Sequence, residues 1–76
     1  TMETEAKIQE YAIGDNTVEM VVIAEDNEEL FYSVRYLVCR KFGFKTFWKM
    51  SEAEQFYNQI KAQIVLEEIK NLVKTS

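Results

Sequence analysis

Seventy-six residues with one cysteine, no histidine, no proline and a formal charge of −4 exclude a disulfide framework and any histidine-based catalytic pair. They also exclude a structural zinc site, which needs four nitrogen or sulfur ligands. A chain of this length forms one domain, residues 1–76, and buries only about 60% of its unfolded surface, so dense packing or self-association has to supplement the core. Its 47% hydrophobic content, with ten aromatic residues, permits either.

Residues 7–13 and 18–24 read as two strands around a tight turn at Gly14-Asp15-Asn16-Thr17. Val18, Met20, Val22 and Ala24 share one face of the second strand. Glu19, Val21 and Ile23 form the other, which is too apolar to be left fully wet. The acidic run Glu25-Asp26-Asn27-Glu28-Glu29 is the next connection.

Residues 30–41 fit two templates. As a strand, Leu30, Tyr32, Val34, Tyr36 and Val38 line one face, and the β-branched and aromatic content favours this reading. As a helix, Asp26 and Glu29 form a capping-box pattern, Arg40-Lys41 closes the last turn and Gly43 follows it. Gly43 is expected to turn the chain into a short segment where Lys45, Phe47 and Lys49 alternate with Phe44, Thr46 and Trp48. Cys39 is expected to be a small core thiol. The last element starts at a Ser51-Glu54 capping box and runs from Glu52 to about Lys74. Ala53, Phe56, Tyr57, Ile60 and Ile64 recur at helical spacing, and Ile69, Leu72 and Val73 extend the pattern.

The fold class is therefore α+β: an antiparallel β-meander of three to four strands packed by one long C-terminal helix. The alternative is a β-hairpin followed by two helices. A helix of about 34 Å overhangs strands of six or seven residues by two turns or so. Its end carries Leu66, Ile69, Leu72 and Val73, for which a second copy is the simplest cover.

Charge is uneven along the chain. Residues 1–29 hold nine carboxylates and one lysine, whereas residues 30–51 hold five basic residues, no acidic one and seven aromatics. Catalysis is not expected, since the inventory has no general base of the usual kind and its two glycines are too far apart for a phosphate-cradling loop. The acidic connection lacks the ligand spacing of a calcium loop. The acidic start of the chain (Met2-Glu3-Thr4-Glu5) is the reverse of a signal peptide, no apolar run reaches bilayer length, and a lone thiol fits a cytoplasmic location.

The expected function is a small non-enzymatic module, with no cofactor or metal, acting through protein–protein contacts. It would be a homodimer and/or an adaptor or inhibitor of a larger partner. The acidic residues Glu3, Glu5, Glu10, Asp15, Glu19, Glu25, Asp26, Glu28 and Glu29 give it a general likeness to acidic phage inhibitors such as anti-CRISPR proteins. The expected interface is Phe56, Ile60, Ile64, Leu66, Ile69, Leu72 and Val73. The alternative is single-stranded nucleic-acid binding by the basic aromatic segment 35–49, through Arg35, Arg40, Lys41, Lys45, Trp48 and Lys49. Membrane binding is not expected, because acids and lysines are mixed along the helix.

Overall fold

In chain order the elements are β1 (Glu3–Ile13), β2 (Asn16–Glu25), β3 (Phe31–Val38), β4 (Lys41–Phe47) and α1 (Met50–Thr75). The structure, a computed structural model, describes residues 3–26 and 29–75. Met2, Asn27 and Glu28, named above, lie outside the described residues. The four strands form one antiparallel sheet in the order β1-β2-β3-β4, with α1 packed on one face. This is the α+β meander that the alternation of residues implies. Residues 31–38 are strand because their period-two pattern sets Val34 and Val38 into the core beneath α1.

Two turns close the same end of the sheet. Ile13 pairs with Asn16, leaving Gly14 and Asp15 as a two-residue loop, and Gly14 takes φ of +59°. Glycine at the first central position fits a type II′ hairpin. Val38 pairs with Lys41, so the second loop is Cys39-Arg40, with φ of 53° and 68°. Among the described residues these are the only non-glycine positions with positive φ. The Cys39 backbone N–H donates to Asn16 Oδ1 at 3.0 Å and ties the two turns together.

Cys39 is thus exposed at a turn rather than buried in the core. Gly43 does not turn the chain either. It sits within β4 opposite Tyr36, whose ring lies where a side chain at position 43 would go.

Helix α1 begins two residues before the expected start. Lys49 C=O accepts the Ala53 N–H at 3.2 Å, which makes Lys49 the N-cap. The Ser51-Glu54 capping box does not form among the described residues. The chain leaving β4 must double back over the sheet at once, and it reaches helical geometry before Ser51. Val18, Met20, Val34 and Val38 meet Ala53, Tyr57, Ile60 and Ile64 in the core, flanked by Tyr36, Phe47 and Phe56.

The helix projects past the sheet, but the strands are not short. β1 and β2 have 11 and 10 residues, so short strands do not cause the overhang. The cause is an offset. Helix α1 starts level with the Phe47 end of β4, while β1 and β2 run on beyond that level to Glu3 and Glu25. At the other end Glu67 lies beside Cys39 in the second turn, so the last eight or so residues of α1 extend past both turns. The long axis of 54 Å, against widths of 21 and 17 Å, reflects that stagger.

The face of the sheet away from α1 also buries apolar atoms. Val21 and Ile23 are buried there, as the composition of that face requires. Arg35 on β3 pairs with Glu5 on β1. The pairing register places Val21 between them, so the ion pair lies across that side chain.

Candidate protein-binding surfaces

Helix α1 has two apolar faces. At about 100° per residue, Ala53, Tyr57, Ile60 and Ile64 point toward the sheet. Ala62, Val65, Leu66, Ile69, Leu72 and Val73 centre about 150° around the helix from that direction. They do not extend the first stripe, as the spacing had suggested. The sheet-facing line continues instead through Glu67 and Asn71. The outer face changes character along the helix: Gln55 and Asn58 are exposed in its first half, whereas Leu66, Ile69, Leu72 and Val73 are 50 to 67% exposed in its second. Of the interface expected from sequence, Ile60 and Ile64 are buried against the sheet and Phe56 is half-buried beside them, because the core needs them there. The other four residues remain at the surface.

A second apolar surface follows β4. Phe42 and Phe44 project from the open face of the sheet at 69 and 64% exposure, with Trp48 beyond them at 70%. Trp48 meets Phe31 edge-on at 6.0 Å between ring centres. These two, with Thr46 and Phe47, line a shallow pocket of about 200 Å³. Lys41 and Lys45 alternate onto the helix side of the same strand. The Lys45 ammonium sits 5.5 Å from the ring centres of both Phe47 and Phe56. Among the described residues neither lysine forms an ion pair.

On the open face of β1–β3, four acid–base contacts form a network. Lys7 reaches Glu10 at 3.2 Å and Glu19 at 3.5 Å. Arg35 Nε lies 3.0 Å from Glu19, and its Nη2 pairs with Glu5. The hydrogen bond to Glu5 raises the Arg35 pKa above its ordinary value, and that to Glu10 does the same for Lys7. Part of the expected carboxylate row is therefore occupied within the molecule.

The basic residues expected to track nucleic acid are not brought together. Arg35 is ion-paired on the open face. Arg40 and Lys41 lie at the second turn, Lys45 is on the helix side, and Trp48 and Lys49 are at the opposite end. The strand alternation separates them, since neighbours in sequence point to opposite faces. Among the described residues no cluster of three metal-ligating side chains occurs and no helix is long and apolar enough to cross a membrane.

No protein-family model, curated protein or solved structure matches this chain.

Proposed function

We propose that the protein is a non-enzymatic, cytoplasmic binding module that acts through protein–protein contacts and self-associates through the outward face of α1. In this reading it serves as an adaptor or inhibitor of a larger partner. The observation that carries the reading is the apolar outer face of α1 beyond residue 61, on the side that its own sheet cannot reach. Ala62, Val65, Ile69 and Leu72 follow the 3-4-3 spacing of a helix-pairing seam, with Leu66 and Val73 beside it. Another helix is the natural complement, and a two-fold pair presents the same stripe from both copies.

The available area supports the reading. The four most exposed residues offer roughly 450 Å² per copy, and with Ala62 and Val65 a pair covers about 1,000 Å², the lower bound for a specific interface. The two sheets would then lie outside a central helix pair.

Gel filtration with light scattering tests it. The expected mass is twice the monomer's 9.0 kDa at about 50 µM protein. The double substitution Ile69→Glu/Leu72→Glu should return the monomer with unchanged circular dichroism. A wild-type monomer at that concentration refutes the pairing.

A further inference from the structure

We propose that the free edge of β4 accepts an extended segment of another protein in which apolar and acidic residues alternate. The proposal shares with the function above only the reading that the protein acts by binding; it does not need the helix pair. The strand order leaves two sheet edges, and they differ. β1 is guarded by a bulge at Ile8, where its register shifts between Lys7 and Gln9, and by Glu3, Glu5, Lys7 and Glu10 on its open side. β4 pairs with β3 at every residue without a break, α1 packs mainly over β2 and β3, and among the described residues no strand pairs with the outer edge of β4.

The two faces of that edge specify the occupant. An added strand continues the alternation, so every second side chain falls beside Phe42 and Phe44, with Trp48 past the end of β4. Those positions suit apolar residues. The intervening positions fall beside Lys41 and Lys45 and suit carboxylates. A second copy of β4 is a poor occupant. Antiparallel pairing of two such edges would put both lysines of each copy on the helix side with no carboxylate from either strand, and parallel pairing would set the lysines of one copy beside the phenylalanines of the other. The same lysines that discourage self-pairing select an acidic partner.

Trp48 is the only tryptophan and reports the event directly. The probe is an end-blocked eight-residue peptide of alternating valine and glutamate, titrated while Trp48 emission is followed. The expected result is saturable binding by this peptide and at least about tenfold weaker binding by its valine–lysine counterpart. Lys41→Glu/Lys45→Glu should invert that preference. A peptide N-methylated along one backbone edge should lose most of its affinity, because the added strand depends on main-chain hydrogen bonds. Equal affinity for the acidic and basic peptides, no response up to about 1 mM, or indifference to N-methylation overturns the proposal. The titration is repeated on Ile69→Glu/Leu72→Glu, confirmed as folded. An edge that acts alone gives the same affinity there, and a tenfold loss would show that the site needs the helix pair and refute it as stated.

Discussion

Gly43→Ala tests the packing of β4 most directly. A β-carbon at position 43 would lie 2.9 Å from Tyr36 Cε2, and closer still to Cζ and Oη, inside any tolerable contact. The Tyr36 ring would have to swing away, giving up its edge-on contact with Phe56 at 5.9 Å. That contact contributes about 0.5–1.5 kcal/mol, and overpacking adds about 1–3 kcal/mol. Restricting the unfolded chain by losing a glycine returns about 0.5–1 kcal/mol. The net loss should be about 1–3 kcal/mol, or roughly 5–20 °C in melting temperature for a domain of this size. Urea and thermal unfolding at fixed protein concentration measure it, since self-association shifts apparent stability. A double-mutant cycle with Tyr36→Val isolates the cause. Once the ring is gone, the alanine should be neutral or slightly stabilising. If the two substitutions add to within about 0.5 kcal/mol, the close approach of ring to glycine does not set the residue at 43.

The second turn should be open to improvement. Cys39 and Arg40 both hold positive φ, which costs an ordinary residue about 1–2 kcal/mol; Cys39→Asn/Arg40→Gly should therefore gain about 1–2 kcal/mol net. A urea midpoint that stays level or falls contradicts the turn assignment. Partial removal from water beside α1 and the neighbouring Glu67 carboxylate hold the Cys39 thiol above its ordinary pKa of 9.0. Its alkylation by iodoacetamide at pH 8 should be slower than that of the unfolded chain, and Glu67→Gln should speed it. Because the folded value lies above the unfolded one, this group's contribution to stability is complete below pH 9.0 and declines as pH rises through the folded value. Faster alkylation in the folded protein would contradict that environment.

Period-two alternation favoured the strand reading of residues 30–41, since Tyr32, Val34, Tyr36 and Val38 share one face only as a strand, but the capping-box pattern at Asp26 and Glu29 kept a helix open. The second turn was hidden for a physical reason. Turns of this kind normally announce themselves with asparagine or glycine, and Cys39-Arg40 carries neither. Gly43 drew the turn to itself, although its role is to leave room for an aromatic ring across the ladder. On the helix, apolar residues at 60, 64, 69, 72 and 73 look continuous when counted along the chain. Only their angular positions separate a sheet-facing stripe from an outward one. The β4 surface was present in the sequence as phenylalanines alternating with lysines, yet which strand lies at an edge is a property of the whole sheet and of no local signal.

The two proposed surfaces belong to different parts of the molecule, and that separation has a consequence. The outward stripe lies on α1 beyond residue 61, with the half that holds Ile69, Leu72 and Val73 past the turns, whereas the free edge runs along β4 on the flank of the sheet. The proposed pair, joined through α1, uses neither β4 edge in its seam and would present two, related by the two-fold axis. A partner with two alternating apolar–acidic segments, or one that is itself paired, would engage both edges, so its second contact forms within the complex. Linkage of this kind raises apparent affinity by about 10²–10⁴ without any new contact, provided the span between the edges is met. Weak single-strand addition along the seven-residue edge would then be sufficient for stable capture. The two proposed contacts, helix pairing and edge recognition, are independent in their chemistry but would multiply in effect. That would give a 76-residue chain a physical reason to maintain a second apolar face on α1.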